Sequence, residues 1–269
     1  MKLSELAGGV PSGVSADIDI AGITADSREV RPGFVFAALP GTKVNGAQFI
    51  PAALAAGAVA VLAAPDALVP EGVSVIRDGE PRRRLAQMAA RFYPRQPKTL
   101  AAVTGTNGKT SVASFLYQIW RAQGLSAASV GTLGVRVDDE TRPLRHTTPE
   151  PVELHRILDG LVREDVTHAA LEASSHGLAQ HRLDGTRLSA AAFTNISRDH
   201  LDYHPDFESY FAAKMRLFED VLPDGAPAVI DIDRPEGARV AALAKARGRA
   251  VWTVGHTGEA IRVSRPTPD

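Results

Sequence analysis

Residues 103–111, which read V-T-G-T-N-G-K-T-S, constrain the fold of this chain more than any other segment. They follow a short apolar run and precede an amphipathic stretch, which is the strand, glycine-rich loop and helix context of a phosphate-binding loop. Gly105 and Gly108 allow the backbone to turn sharply and to approach a ligand closely. Successive N–H groups at the start of a helix then point at negative charge, so this segment is predicted to hold the phosphates of ATP.

Three residues at the end of the loop have an expected role. Lys109 supplies a point charge for the outer phosphates, and the hydroxyl of Thr110 or Ser111 can ligate Mg²⁺. The usual pattern places a glycine five residues before the G-K pair, whereas here that position is Val103 and the loop is the tighter G-T-N-G-K-T. The predicted ATP-binding residues are Gly105, Thr106, Asn107, Gly108, Lys109, Thr110 and Ser111.

Strand and helix patterns alternate from residue 98 onward. Strands are predicted at 99–103, 166–173, 188–195, 228–233 and 250–255, and helices at 111–124, 151–164, 206–220 and 235–247. This order predicts an α/β domain with a mainly parallel sheet covered by helices and with ligands at the carboxyl ends of the strands. The helix at 111–124 should end at a glycine cap, Gly124, and carry one apolar stripe of the kind that faces a core. The stripe comprises Val112, Phe115, Leu116, Ile119 and Trp120.

The first 97 residues form a separate unit by pattern. Strands are predicted at 23–28, 34–39, 58–64 and 73–77, and helices at 50–56 and 81–93. The segment Y-P-R-Q-P-K, residues 93–98, interrupts this pattern with two prolines, so we place a domain boundary there. The expected architecture is a small N-terminal α/β domain, residues 1–97, followed by an incomplete phosphate-loop domain, residues 98–269.

Composition excludes several classes of function. The net charge is −1, which offers no basic field for nucleic acid or for an anionic membrane. The absence of cysteine excludes disulfides and thiolate metal sites. No window approaches the roughly 20 apolar residues of a membrane span, and the N-terminus lacks the apolar core of a signal peptide. We therefore expect a soluble, cytoplasmic protein that acts on small molecules, with neither nucleic acid nor a membrane as partner.

Two dense polar clusters follow predicted strands. One reads L-E-A-S-S-H-G-L-A-Q-H-R at residues 171–182, and the other reads F-T-N-I-S-R-D-H-L-D-Y-H at residues 193–204. Each polar side chain alone is more often a solvated loop residue, but two clusters downstream of one phosphate loop favour a site. Carboxylates and a histidine at neighbouring strand ends could complete a Mg²⁺ shell.

Three further segments, considered alone, have the patterns of common structural elements and do not indicate a functional site. Lys214, in Y-F-A-A-K-M-R-L-F, has the spacing of a surface lysine on an amphipathic helix. The D-S-R of residues 26–28 is typical of a polar turn, and the T-T-P of residues 147–149 is typical of the approach to a helix.

Taken together, these segments resemble the Mur ligase family, in particular its MurE type of tripeptide synthetase. The resemblance extends over nearly the whole chain. The phosphate loop is shared with all Mur ligases and with folylpolyglutamate synthetases, whereas the runs S-S-H-G-L-x-Q-H-R and S-R-D-H-L-D-Y-H are more specific to the MurE type.

The resemblance implies an ATP-dependent amide ligase of peptidoglycan precursor synthesis that uses Mg²⁺. The implied substrates are UDP-MurNAc-L-Ala-D-Glu, ATP and a diamino acid, either meso-diaminopimelate or L-lysine. In such enzymes ATP phosphorylates the free carboxylate of the substrate, and the amine displaces phosphate from the acyl phosphate.

The resemblance also implies roles for single residues. Ala25 and Ser27 would contact the uridine nucleotide, with residues 42–44 as a second uridine-side segment. The residues implied in catalysis are Lys109, Lys214, Glu172 and His200. The implied Mg²⁺ ligands are Thr110, Ser111, Glu172, His200 and a carbamylated Lys214. The muramoyl-peptide would be held by Thr147, Thr148, Ser174, Gln180 and Arg182.

Full-length relatives have a third domain, which binds the incoming amino acid. Because this sequence stops inside the expected second domain, we expect a truncated chain that does not turn over alone and a tail, residues 258–269, without a closing element. Two alternatives remain open. One is a catalytically incompetent fragment that still binds substrate or ATP. The other is a folylpolyglutamate-synthetase-like ligase, against which the separate N-terminal domain with its D-S-R turn argues.

Overall fold

The structure is a computed structural model that describes residues 1–9, 17–41, 44–197 and 203–264. The chain divides into two compact units. The first comprises Met1–Pro94 together with Pro151–Arg156, and the second comprises Arg95–Glu150 and Ile157–Asp269. The first unit therefore includes six residues that the sequence pattern placed in the second domain.

The first unit is built on a parallel sheet of four strands. The strands are β1 (Gly22–Thr24), β2 (Phe34–Ala38), β3 (Ala58–Ala63) and β4 (Ser74–Arg77). The helices are α1 (Leu3–Ala7), α2 (Ile50–Ala55) and α3 (Pro81–Phe92). The strands lie in the order β1-β2-β3-β4. Helix α3 begins at Pro81, whose fixed φ suits the first helical turn and whose missing N–H would have no partner there.

Apolar side chains bury both faces of this sheet. One cluster contains Leu62, Leu85 and Met88, and a second contains Phe36 and Val61. Since successive side chains of a strand point to opposite faces, Val61 and Leu62 of β3 enter different clusters. Burial on both faces explains why β3 reads as a continuous apolar run instead of alternating with polar residues.

The second unit contains the phosphate loop and a larger sheet. Its strands are β5 (Thr99–Thr104), β6 (Ala127–Gly131), β7 (Gly134–Val137), β8 (Glu140–Arg142), β9 (His168–Glu172), β10 (Ala190–Phe193), β11 (Pro227–Asp231), β12 (Ala250–Gly255) and β13 (Ile261–Arg262). Its helices are α4 (Lys109–Ala122), α6 (Ser175–Ala179), α7 (Phe207–Arg216) and α8 (Pro235–Ala246), and helix α5 (Pro151–Arg163) is shared with the first unit. A π-helical turn, Leu217–Val221, continues α7.

The strand order of this sheet is β13-β12-β11-β10-β5-β9-β6-β7-β8. The pairs are parallel except for β6 with β7 and β7 with β8, which are antiparallel. The predicted α/β class with a mainly parallel sheet is confirmed.

The strand order creates a switch point at β5 and β10. Helix α4 leads from β5 towards β6, whereas α7 leads from β10 towards β11. In the strand order, β6 and β11 lie in opposite directions from the adjacent pair β5 and β10. In an open α/β sheet a crevice forms at the carboxyl ends of adjacent strands whose connections diverge in this way. The phosphate loop follows β5 and therefore lies at this crevice.

Several elements were not predicted from the sequence. The strands β7 and β8 are short, and all three residues of β8 are exposed, so no apolar period marks β8. The prediction that residues 258–269 contain no closing element was wrong, because β13 pairs with β12 through Val254 and Ile261. A two-residue strand with both residues exposed leaves no pattern that sequence reasoning could detect.

Helix α4 turns a different face inward from the one that the apolar stripe predicted. Phe115 and Ile119 are 59% and 53% exposed, whereas Ala113 and Tyr117 are buried. Tyr117 can lie in the core because its hydroxyl donates to the Asp138 carbonyl at 2.5 Å. Among the described residues, neither α4 nor any other helix has the length and apolar character needed to cross a membrane.

We predict that Leu62→Ala destabilises the first unit by about 2–5 kcal/mol, since it removes buried methyl groups and leaves a cavity. Leu62 is fully buried, whereas Leu68 of the same unit is 91% exposed. The matched change Leu68→Ala should alter the free energy of unfolding by no more than about 0.5 kcal/mol. Urea unfolding followed by circular dichroism measures both, and equal stabilities of the two variants would contradict the assignment of this core.

Candidate active site

Residues that follow β10 fasten the phosphate loop. The Thr106 N–H donates to the Asn195 carbonyl at 2.8 Å, and the Asn107 N–H donates to Asn195 Oδ1 at 3.1 Å. In return, Thr194 Oγ1 and Asn195 Nδ2 donate to the Asn107 carbonyl at 2.6 and 3.1 Å. These bonds hold the backbone of the loop in one shape.

The two glycines of the loop are required by its backbone. Gly105 has a φ of 147° and Gly108 a φ of 85°, both in the region that side chains disfavour. A Cβ atom on Gly105 would also overlap the hydroxyl of Thr194. Gly108 is the residue directly before α4. The N–H groups of the first turn of α4 have no partner within the helix and are therefore available to a ligand at the loop.

Lys109 begins helix α4 and lies against the loop. Its Nζ donates to the Gly105 and Thr106 carbonyls at 2.9 and 2.8 Å. The ammonium adds a full positive charge to the amino-terminal end of α4, which already attracts anions through its unpaired N–H groups. The loop and the start of α4 can therefore bind a polyphosphate.

Two buried side chains of α7, one helical turn apart, support the loop. The Tyr210 hydroxyl forms a 3.0 Å hydrogen bond with Thr106 Oγ1, and Lys214 Nζ donates to the Gly105 carbonyl at 2.9 Å. The same Nζ lies 4.5 Å from the centre of the Tyr210 ring. Lys214 is 1% exposed, so it is not the surface lysine that its spacing alone favours.

The carboxylate of Glu172, at the end of β9, accepts three hydrogen bonds. Oε2 accepts from Thr110 Oγ1 at 2.8 Å and from Thr132 Oγ1 at 3.2 Å, and Oε1 accepts from the Thr132 N–H at 2.8 Å. The carboxylate is buried. The hydroxyl that joins it to the loop is that of Thr110, whereas Ser111 is exposed.

Three of the side chains expected to hold the muramoyl-peptide are joined to Glu172 by hydrogen bonds, through its backbone carbonyl or through Thr132. Thr148 Oγ1 donates to the Glu172 carbonyl at 2.7 Å and accepts from the Ser174 N–H at 2.9 Å. Ser174 Oγ caps helix α6 by accepting from the Gly177 N–H at 3.0 Å. Thr147 Oγ1 lies 3.0 Å from Thr132 Oγ1. Thr147, Thr148 and Ser174 therefore share one hydrogen-bonded cluster with Glu172.

Gln180 and Arg182 meet beyond α6. Arg182 donates to the Thr148 carbonyl at 2.7 Å and to Gln180 Oε1 at 2.8 Å, and it pairs with Glu150 at 2.6 Å. His181 stands between the two with a φ of 58°, a left-handed conformation that is uncommon for a residue with a side chain. This conformation ends helix α6, and the Arg182 N–H donates to the Gly177 carbonyl at 2.8 Å.

Asp184 contacts this turn through His181 and links it to Arg216 of α7. Its carboxylate lies 3.4 Å from His181 Nδ1 and 3.3 Å from the Arg216 guanidinium. Burial raises the pKa of Asp184, but the hydrogen bond to His181 and the positive charge of Arg216 outweigh burial and lower its pKa below the ordinary value.

A cavity of about 420 Å³ opens beside the loop, between the segments that follow β10 and β11. Its lining includes Asn107 and Asn195 on one side and Asp231 and Asp233 on the other. The sequence analysis included Asn195 in a polar cluster without giving it a role, and it did not identify Asp231 or Asp233 as site residues. Asp231 and Asp233 could have been predicted as site residues from their position at the carboxyl end of an apolar strand, where ligands bind in such sheets.

The residues expected on the uridine side belong to the first unit. Ala25 and Ser27 follow β1, and Ser27 begins a 3₁₀ turn, Ser27–Glu29, that Asp26 caps by accepting from the Arg28 N–H at 3.0 Å. Ala25 is exposed and Ser27 is half-buried. Of the second predicted uridine segment, Thr42 and Lys43 lie outside the described residues and Val44 is exposed.

The oxygen atoms around Glu172 are of the kind that Mg²⁺ binds as ligands. A carboxylate and the Thr110 hydroxyl are hard oxygen donors, and Mg²⁺ is commonly held by one or two carboxylates together with substrate phosphates. Within the part of the chain that the structure describes, no three His, Cys, Asp or Glu side chains converge as a metal-binding group. The predicted ligand His200 lies outside the described residues. The donors present therefore fit a Mg²⁺ ion that phosphate oxygens help to hold.

Comparison with known protein families agrees with this arrangement. Residues 103–267 match the family described as Mur ligase middle domain, and residues 19–93 match the one described as Mur ligase family, catalytic domain. The chain is 52% identical to the UDP-N-acetylmuramoyl-L-alanyl-D-glutamate--2,6-diaminopimelate ligases of Rhizobium meliloti and of Bradyrhizobium diazoefficiens. The alignments cover 98% and 96% of this chain but 56% and 54% of those proteins. The chain thus spans about half the length of these relatives.

A solved structure supports the fold. A solved structure of a UDP-N-acetylmuramoyl-L-alanyl-D-glutamate--2,6-diaminopimelate ligase superposes on this chain with a TM-score of 0.82 at 30% sequence identity. The superposition covers 97% of this chain and 53% of that one.

We predict that Gly105→Ala deforms the phosphate loop and weakens ATP binding at least about tenfold, because the new methyl group overlaps Thr194 at a strained φ. Gly160, inside helix α5, provides a matched control, since a Cβ there meets nothing within 4 Å. Gly160→Ala should leave ATP binding unchanged and raise stability by up to about 1 kcal/mol through helix propensity. Isothermal titration with ATP checks both, and a Gly105→Ala chain that binds ATP like the parent would rule out this account of the loop.

The lowered pKa of Asp184 predicts a pH-dependent contribution to stability. A carboxyl whose folded-state pKa lies below its unfolded value of about 3.8 stabilises the fold above that pH, and it loses this effect as the pH falls through the folded pKa. Asp184→Asn should therefore reduce the free energy of unfolding by about 1–3 kcal/mol at pH 7 and by less below about pH 4. Urea unfolding between pH 3 and 7 tests this, with Asp139→Asn as an exposed control. A deficit of Asp184→Asn that does not change with pH would contradict the prediction.

Proposed function

The chain belongs to the Mur ligase family, and from that premise we propose that it forms the substrate- and ATP-binding parts of a MurE-type ligase. Such an enzyme joins meso-diaminopimelate or L-lysine to UDP-MurNAc-L-Ala-D-Glu at the expense of ATP. The observation that carries the proposal is the 2.8 Å hydrogen bond between Thr110 and Glu172. This bond links the phosphate loop directly to the cluster expected to hold the muramoyl-peptide.

The relatives favour this function over the alternatives. Both diaminopimelate ligases align over nearly the whole chain, including the first unit, which supports a nucleotide-sugar substrate over a folate. The names of these relatives also favour diaminopimelate over lysine as the amino acid that is added.

The proposed reaction has two steps. A carboxylate oxygen of the muramoyl-peptide attacks the γ-phosphorus of ATP, the bond to the leaving ADP breaks, and an acyl phosphate forms. The amine of the diamino acid then attacks the acyl carbon, phosphate leaves, and the nitrogen loses a proton as the amide forms. Phosphorylation is needed because a free carboxylate offers the amine no acceptable leaving group.

The residues of the second unit have distinct parts in this scheme. The loop N–H groups from Gly105 to Ser111 and the Lys109 ammonium bind the phosphates and offset the charge that accumulates on the transferred group. Glu172, Thr110 and His200 would hold Mg²⁺, which neutralises phosphate charge when bound. Ser111, which the sequence also suggested as a ligand, is the less suitable hydroxyl because it is exposed while Thr110 reaches Glu172.

Lys214 would act after carbamylation. The Lys214 ammonium would first lose a proton, and the resulting amine would add to carbon dioxide with loss of a second proton, which converts a buried cation into an anion that can bind Mg²⁺. Nζ would keep one hydrogen for the Gly105 carbonyl, which it contacts at 2.9 Å. The existing support of the loop by Lys214 would thus survive the modification.

The remaining predicted residues would bind the organic substrate. Thr147, Thr148, Ser174, Gln180 and Arg182 would hold the muramoyl-peptide, and Ala25 and Ser27 would contact the uridine nucleotide. The cavity at Asn107 and Asp231 would receive the base of ATP, because it opens directly beside the phosphate loop.

We predict that the 269-residue chain binds ATP and that Lys109→Ala weakens this binding at least about tenfold, since the charge-assisted contact to phosphate is lost. Lys245, an exposed lysine in the last turn of α8, supplies the control, and Lys245→Ala should bind ATP like the parent. Isothermal titration gives the affinities, and titration with UDP-MurNAc-L-Ala-D-Glu tests the second substrate.

Phosphate release in the presence of ATP, UDP-MurNAc-L-Ala-D-Glu and diaminopimelate separates a ligase from a binding module. A chain that binds both ligands without releasing phosphate would support the alternative of a binding fragment. A chain that binds neither ligand would overturn the proposed function.

A further inference from the structure

Thr132, in the turn between β6 and β7, contacts the candidate site without having been singled out by its sequence. Its N–H and its hydroxyl bind different oxygens of Glu172, at 2.8 and 3.2 Å. Its hydroxyl also lies 3.0 Å from Thr147 Oγ1. One residue therefore connects the carboxylate expected to hold Mg²⁺ with a side chain expected to hold the muramoyl-peptide.

The backbone before Thr132 is shaped to receive the carboxylate. Gly131 is buried, and a Cβ atom there would overlap the Glu172 side chain. The end of β6 can close over Glu172 only because this position is glycine. Glu172 is thus held by the β6–β7 turn on one side and by Thr110 of the phosphate loop on the other.

The hydrogen bonds in this group have a fixed direction. An ionised carboxylate only accepts hydrogen bonds, so the Thr132 hydroxyl donates its single hydrogen to Glu172. Thr132 Oγ1 can then only accept from Thr147, whose own hydrogen is thereby used. The Thr147 hydroxyl then has no hydrogen left to donate, and it can only accept a hydrogen bond from a ligand through its lone pairs.

We propose that Thr132 is a positioning residue that orients Glu172 for Mg²⁺ and makes Thr147 accept a hydrogen bond from the substrate. The substrate group at Thr147 is then an amide N–H or a hydroxyl, whereas a carboxylate or phosphate oxygen would face another acceptor. This inference rests on the proposed function and specifies which chemical group of a muramoyl-peptide lies at this position.

The first test measures the Mg²⁺ dependence of ATP binding. Thr132→Val keeps the branched shape and the N–H but removes the hydroxyl, and Thr132→Ser restores it. Because groups that orient a metal ligand typically contribute 10–100-fold to metal affinity, Thr132→Val should need at least about tenfold more Mg²⁺ for half-maximal enhancement of ATP binding. Thr132→Ser should stay within about twofold of the parent, and both should bind metal-free ATP equally. A Thr132→Val chain with the Mg²⁺ dependence of the parent would overturn the positioning role.

The second test requires no ligand. Crystal structures of the parent and of Thr132→Val should show Glu172 Oε2 and the Thr147 hydroxyl displaced in the variant. If both side chains keep their positions, Thr132 does not orient them. This comparison decides the role of Thr132 even if the chain fails to bind ATP, which would count against the proposed function alone.

The third test addresses the direction at Thr147. Thr147→Ser should bind UDP-MurNAc-L-Ala-D-Glu like the parent, whereas Thr147→Val should bind it about tenfold more weakly, as expected for one lost hydrogen bond. A crystal structure of the complex should place an N–H or O–H group next to Thr147 Oγ1. A carboxylate or phosphate oxygen there, or a parent chain that does not bind this compound, would overturn the assignment.

Discussion

The hydrogen bond between Thr110 and Glu172 depends on the parallel pairing of β5 with β9. In that register Val103 lies directly beside Glu172, and the Ala173 N–H donates to the Val103 carbonyl at 2.8 Å. The carboxyl ends of the two strands therefore reach the same edge of the sheet, and their side chains and loops converge. A shift of one residue would turn Glu172 to the other face of the sheet and separate the phosphate loop from the cluster at Thr148.

Gly105 carries a second constraint, because its carbonyl accepts from two lysines. Lys109 Nζ and Lys214 Nζ both lie 2.9 Å from this oxygen, so the two nitrogens are within about 6 Å of each other. Like charges at such a separation disfavour each other, most of all where burial reduces solvation. Phosphate bound at the loop, or carbamylation of Lys214, would relieve this repulsion. The arrangement thus supports the proposal that Lys214 is modified and that the loop binds an anion.

The sequence predicted the parts of the site that local pattern determines. The loop glycines, the start of α4 near Lys109 and the strand before Glu172 all leave a local signal of spacing or composition. Lys214 had no such signal, since its burial depends on how α7 packs under the loop, and only the resemblance to a family identified it. Thr132 had none either, because its role follows from the pairing of β6 with β9, which brings together residues 40 positions apart in the chain.

The substitution of Val103 for the usual glycine has a physical explanation in the structure. Val103 is fully buried within β5 and pairs with β9 on one side and with Ala192 of β10 on the other. The strand therefore continues to Thr104, and the loop has fewer residues with which to enclose phosphate. A short loop cannot satisfy its own backbone groups, so partners outside it must do so. Asn195 and Thr194 bind the Asn107 peptide, while α7 supports Gly105 and Thr106, and in this way the neighbouring elements replace the residues that the shorter loop lacks.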